Sequence, residues 1–117
     1  VYEDRSYADE IIRWARGGRL GDVVVTSEAD DLRQSGERAV EAHLKPKIRG
    51  AASVICLVGR DTHNHSWVRY ELQVAASLNK HIVLVRIPGT TGPVPEGFRH
   101  LPMISYDVSS ISSAIRA

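Results

Sequence analysis

The chain is short of several things, and each shortage narrows what it does. A single cysteine, Cys56, occurs among 117 residues, so an intrachain disulfide framework and a multi-cysteine zinc site are both impossible. That count fits a reducing compartment, and a cytoplasmic location is expected. Charge of one sign is also missing: 15 Lys+Arg stand against 14 Asp+Glu, a net of +1. This balance excludes a strongly basic nucleic-acid binder and a polybasic membrane anchor, although not a local patch. No apolar run approaches the ~20 residues of a membrane-spanning helix, and no signal peptide is visible. Internal repeats, low-complexity tracts and linkers are absent. So is an initiating methionine: the chain opens Val1-Tyr2-Glu3-Asp4-Arg5, which reads as a loop, and a domain rarely opens on a loop.

What is present is an ordinary globular composition, 43% hydrophobic and 25% charged, in a length that suits one domain spanning residues 1–117. Its segments alternate in type. Ser6 is a helix cap candidate, with Asp9 three residues on. Ala8, Ile11, Ile12, Trp14 and Ala15 form a helical stripe, stopped by Gly17-Gly18. Val23-Val24-Val25 is a β-branched run and reads as a strand from Asp22 to Thr26. After a polar loop from Glu28 to Arg33, Ser35 caps a second helix with Ala39, Val40, Leu44 and Ile48 inward, kinked or split by Pro46. Ser53 to Gly59 is a continuous apolar run, as expected of a strand covered on both faces.

The third helix is expected from Ser66 to Asn79, with Val68, Leu72, Ala75, Ala76 and Leu78 as its apolar stripe. A strand follows from His81 to Ile87. Residues 88–102 are rich in Gly and Pro and read as irregular. Met103 to Tyr106 and Ser109 to Arg116 read as a last strand and a last short helix. Apolar, non-alternating strands joined by helices predict a parallel sheet in a three-layer α/β sandwich. Ligands of such sheets bind beyond the carboxyl ends of the strands. The loops to inspect are therefore Ser27–Gln34, Arg60–Ser66 and Pro88–His100.

In the third helix Glu71 lies four residues after Trp67, so the two share a face. That face borders the apolar stripe, which predicts a carboxylate at a cleft edge beside an indole. The same spacing also suits a solvated glutamate paired with Arg69 or Lys80. Asp61, His63 and His65 include a His-x-His pair, a loose metal-ligand spacing with no fourth ligand evident, and they read as loop residues. Cys56, in mid-strand, reads as a small hydrophobe. Gly89, Gly92 and Gly97 have no phosphate-loop spacing.

Ser66-Trp67-Val68-Arg69-Tyr70-Glu71-Leu72, between a strand ending in Gly59 and one opening Lys80-His81-Ile82, resembles the TIR domain. It is especially similar to the TIR-like branch of bacterial Thoeris antiphage-defence systems. The Gly59-Arg60-Asp61-Thr62 turn resembles that family's G-x-x-T segment. The likeness is strong from Val54 to Ile87 and weak before Ser35 and after Pro88. It implies a flavodoxin-like, TIR-like parallel sheet of order 2-1-3-4-5. It also implies NAD⁺ as substrate rather than cofactor, with no metal, and Glu71 as the catalytic residue.

By the same resemblance Tyr2 and Asp4 fall in the loop after the first strand, and Asp31 and Ser35 border the site with Asp30. Together with Trp67, which supports Glu71 by packing or touches the ligand itself, Tyr2, Asp4, Asp31 and Ser35 are the implied substrate-binding residues. The implied product is ADP-ribose or a cyclic ADP-ribose isomer, a diffusible signal that reaches a separate effector protein. Self-association is implied; nucleic-acid and membrane partners are not. The family's central first strand would precede Val1, which leads to the expectation of roughly 6–12 further residues there. Two other readings stand beside this one: a non-catalytic TIR-like interaction module, and a nucleoside deoxyribosyltransferase-like enzyme, which also uses a glutamate on a flavodoxin-like sheet.

Overall fold

The computed structural model describes residues 2–27 and 36–117. Four strands, β1 (Val23–Thr26), β2 (Ser53–Val58), β3 (His81–Arg86) and β4 (Met103–Ile104), form one sheet in the order β1-β2-β3-β4. Every pairing is parallel. The helices are α1 (Tyr2–Arg16), α2 (Gly36–Arg49), α3 (Ser66–Ser77) and α4 (Val108–Arg116). The architecture is the expected α/β sandwich with a parallel sheet.

The pleat sends alternate residues to opposite faces, and the packing follows that alternation. Ile55, Leu57, Val83 and Val85 pack with Ile11 of α1 and Ile111 of α4. Val24 and Val54 pack with Leu44 and Ile48 of α2 and Ala75 of α3, while Cys56, Val58 and Leu84 meet Val68 and Leu72 of α3. All six residues of β2 are buried, which is why its sequence is apolar without alternation. α2 and α3, the crossovers β1-α2-β2 and β2-α3-β3, lie on the same face. A sheet that grows in one direction through right-handed connections requires this.

Several expectations are corrected. Residues 2–5 are helical, because α1 begins at Tyr2 rather than after a cap at Ser6; an acidic pair such as Glu3-Asp4 suits the first turn of a helix dipole. Tyr2 and Asp4 are thus in a helix, not in a loop. Ile12 faces solvent instead of joining the stripe. Pro46 does not split α2, which runs on to Arg49. In α3, Val74 is buried and Ala76 exposed, because the helix packs nearer the Val74 side of its stripe. β1 and β2, expected to flank a strand ahead of Val1, pair directly with each other.

Helix ends explain several polar residues. Gly18, at φ +83°, closes α1 in a Schellman turn; Gly18 N–H donates to the Ala15 carbonyl and Arg19 N–H to that of Trp14. The Tyr106 hydroxyl ties the carboxyl-terminal segment to α1, donating to Glu10 Oε1 at 2.6 Å and facing the Tyr7 carbonyl at 3.1 Å. Burial, then the Glu10 bond and charge, push the Tyr106 phenol far above its usual range. Tyr106→Phe should lower stability by about 1–2 kcal/mol, since it leaves both acceptors without their donor; equilibrium urea unfolding reads this directly.

Asp107 caps α4. Ser110 donates to it from its hydroxyl, 2.6 Å, and from its backbone N–H, 2.8 Å. These bonds hold the Asp107 carboxyl below its ordinary value. A depressed pKa adds stability above the unfolded value of about 4, and the gain is lost as pH falls through the folded value. Asp107→Ala should therefore lower the urea midpoint at neutral pH, with the deficit shrinking as pH drops below about 4.

Candidate functional site at the carboxyl end of the sheet

The chain leaves β2 through a turn that is locked from inside. Gly59 N–H donates to Thr62 Oγ1 at 2.7 Å, and that hydroxyl reaches back to the Leu57 carbonyl at 3.4 Å. Thr62 is fully buried. A 3-10 turn, Thr62–Asn64, then leads to His65, whose Nδ1 accepts from Val68 N–H at 3.4 Å and caps α3. His65 thus serves the helix start, and the His63/His65 pair is not brought together as a ligand set. Among the described residues no group of three His, Cys, Asp or Glu is placed to hold a metal ion.

This locked entry fixes the phase of α3. Val68, Leu72 and Ala75 pack on the sheet, and Glu71, 3% exposed, is buried with them. Trp67 and Tyr70 are half-buried against the α2 side of the core, edge to face with centroids 6.4 Å apart. Both rings pack on that core and are only partly covered by it. The Trp67 indole N–H is buried without a hydrogen-bond partner among the described residues.

β1 ends under the same face. The pleat puts Thr26, like Val24, toward α2 and α3. Thr26 is fully buried, its Oγ1 has no hydrogen-bond partner among the described residues, and Ser27 is 1% exposed. Five buried polar or charged residues are described: Thr26, Ser27, Ser53, Thr62 and Glu71. All but Ser53 belong to the carboxyl ends of β1 and β2 or to the elements that follow. The buried polar side chains thus gather where α/β sheets bind ligands.

The loop after β3 is strapped onto the loop after β2. Ile87 N–H donates to the Val58 carbonyl, which Thr90 Oγ1 also reaches at 3.4 Å; within the loop itself Thr90 Oγ1 donates to the Ile87 carbonyl at 2.7 Å and Arg86 Nη1 to the Gly92 carbonyl at 2.8 Å. Gly92 passes so close to the backbone of Gly59 and Arg60 that a Cβ would stand 2.1 Å from the Gly59 oxygen. Arg86, Thr90 and Gly92 escaped the sequence reading, because a stretch dense in Gly and Pro signals irregular backbone but not what it docks on.

A cleft of about 510 Å³ lies along the outer side of α3, lined by Ser66, Trp67, Arg69, Tyr70 and Gln73. Glu71 is not on its wall; it is inside, not at a cleft edge. Tyr2 and Asp4 are in the first turn of α1. Asp30, Asp31 and Ser35 lie outside the described residues. The structure therefore brings Glu71 and Trp67 together on one helix, and places Glu71 in the buried layer that also holds Thr26.

The sequence profile of the family described as Thoeris protein ThsB, TIR-like domain, matches residues 1–92. No curated protein matches the chain.

Proposed function

Because the chain belongs to the TIR-like domain family of the Thoeris protein ThsB, we propose that it cleaves NAD⁺ between nicotinamide and ribose, with Glu71 as the catalytic residue. The observation that carries the reading is the buried carboxylate of Glu71 in the second turn of α3, the helix that follows the carboxyl end of β2 in a parallel sheet. Breaking this bond builds positive charge on the ribose, an oxocarbenium-like state. A fixed carboxylate in a water-poor setting stabilises that charge. Nicotinamide leaves neutral, so a single carboxylate suffices without a strong general acid. The ADP-ribosyl group then meets water, giving ADP-ribose, or an atom of its own chain, giving a cyclic isomer. A site that excludes water favours the cyclic product.

In this reading the product is a diffusible antiphage signal for a separate effector protein. At 3% exposure Glu71 contacts a ribose only after its surroundings open, which suits activation by self-association. The test is nicotinamide release, followed by chromatography, for the parent and Glu71→Gln over a range of protein concentrations. Equal release by the two overturns the assignment. The enclosure of Glu71 also favours a second reading, a non-catalytic TIR-like scaffold. It predicts no release from the parent at any concentration.

Among the described residues, no helix is long and apolar enough to cross a membrane.

A further inference from the structure

We infer that the surface at the amino end of the sheet docks the phosphate backbone of a nucleic acid. The chain is near neutral, at a net of +1, but its fold sorts the charges. In a parallel sheet with helical crossovers each helix finishes where the next strand begins, so α1, α2 and α3 all end here. α4 ends here too: His81, the first residue of β3, meets the Ala114 carbonyl through Nε2 at 2.9 Å. The last turns of α1, α2 and α4 carry Arg16, Lys47, Arg49 and Arg116. Arg19 and Lys80 stand in the connections into β1 and β3. Lys80 is half-buried and the other five are exposed.

These six cations form one surface rather than separate corners. Lys80 Nζ donates to the Arg49 carbonyl at 2.9 Å, which joins the α3–β3 turn to the end of α2. Ser112 Oγ donates to the Arg19 carbonyl at 3.4 Å, which joins α4 to the α1–β1 turn. The His81 contact links β3 to α4. The surface therefore wraps the strand ends from one face of the sheet to the other. A further strand beside β1 would widen the sheet sideways and leave this end as it is.

Magnitudes decide whether these cations do more than answer the helix dipoles. Each helix carboxyl end carries about half a negative charge, so four contribute about two. Asp22 is the acid at this end among the described residues. Dipoles and Asp22 together offset about half of the cations and leave a surplus of about three. Other described acids lie toward the carboxyl end: Glu3 and Asp4 in the first turn of α1, Asp61 after β2 and Asp107 after β4. Four of the six cations are arginines, whose planar forks match phosphate oxygens two at a time. The exposed large hydrophobic residue among those described, Ile12, stands one turn back from Arg16. This end thus has charge for an anionic backbone but no apolar side chain to insert into a bilayer. Contact with phosphates alone is indifferent to base sequence. The inference does not rest on NAD⁺ cleavage, and Glu71→Gln should bind as the parent does.

The probe is a fluorescein-labelled DNA duplex of about 20 base pairs, roughly twice the 36 Å longest dimension of the domain. Fluorescence polarisation in about 50 mM salt should show saturable binding, with log K falling against log salt at a slope of about −3 to −5. Arg49→Glu with Arg116→Glu, one on each face of the sheet, should weaken binding about tenfold or more. Arg5→Glu with Arg60→Glu makes the same change in net charge at the other end, and should weaken it less than about threefold. Arg49→Gln with Arg116→Gln adds no repulsion and should flatten the salt slope by about 2. Circular dichroism checks that each variant is folded. No saturable binding up to about 100 µM overturns the inference. Equal losses in the two glutamate pairs, or an unchanged slope in the glutamine pair, also overturn it. So do vesicles of phosphatidylcholine and phosphatidylserine, in a ratio of about 7 to 3, if they bind more tightly than the duplex at equal phosphate; the surface then belongs to a membrane.

Discussion

Glu71→Gln should reduce nicotinamide release by at least about 100-fold, the usual cost of removing a group that stabilises transition-state charge. The substitution keeps the size and planarity of the side chain, so circular dichroism and the thermal midpoint should still report a folded domain. Only the negative charge is removed. Glu71→Asp is a sharper probe, because it keeps the charge and draws it back by one methylene. If the role is charge stabilisation at the ribose, the aspartate variant should retain more activity than the glutamine variant. If Glu71 serves only the packing of α3, the order should reverse, since the aspartate leaves a gap and the glutamine does not. The ranking of two variants thus separates catalysis from architecture within the same buried layer.

Gly92→Ala should cost about 3 kcal/mol of stability, at the upper end for an overpacked site. Its Cβ would stand 2.1 Å from the Gly59 oxygen and 2.4 Å from the Arg60 oxygen. Both contacts are with backbone, so no rotamer change relieves them. The two loops must separate, which strains the bonds that Ile87 N–H and Thr90 Oγ1 make to the Val58 carbonyl. For a domain of this size the loss corresponds to a fall in Tm of roughly 10–15 °C. Gly50→Ala is the control. Its Cβ would meet the Pro46 oxygen at 3.5 Å, ordinary van der Waals contact, and the midpoint should barely move. Thermal denaturation of the two variants side by side checks the contrast. If the loop straps hold the entry to α3, Gly92→Ala should also depress nicotinamide release below the unfolding temperature.

The parallel sheet was legible because its signal is local. Five consecutive apolar residues from Val54 to Val58 have few uses other than a strand covered on both faces, and all of them are buried with Ser53. The β-branched run at Val23–Val25 and the helical stripe through Val68 and Leu72 carried the same kind of information. The start of α1 was not legible, because Tyr2-Glu3-Asp4-Arg5 has no apolar period, and a first turn needs none. Ile12 misled, because a stripe of neighbouring isoleucines does not say which one faces the sheet. At the candidate site, the W-V-x-x-E spacing located Glu71 and Trp67 on one helix, but not their depth. Depth depends on how α3 rolls against β2, and that roll is set by the Thr62 lock and the His65 cap, which are tertiary and backbone features. Gly92 was invisible for the same reason: its constraint comes from residues some thirty positions away, not from its own dihedral angles.

The order β1-β2-β3-β4 has a consequence for how the chain is made. Each strand, as it leaves the ribosome, finds its parallel neighbour already synthesised, so the sheet can lengthen in step with translation. The α2/α3 layer follows the same schedule, because each of those helices lies between the strands it covers. The opposite layer does not. Its helices α1 and α4 are the first and last of those described, and Tyr106 reaches back across 99 residues to Tyr7, and to Glu10 beside it. One side of the nascent domain therefore matures as it emerges, while the other keeps α1 waiting until α4 is complete. A truncated nascent chain that stops before Tyr106 should be protease-sensitive in α1 and protected in β2 and α3, an asymmetry in time written into a sheet of uniform direction.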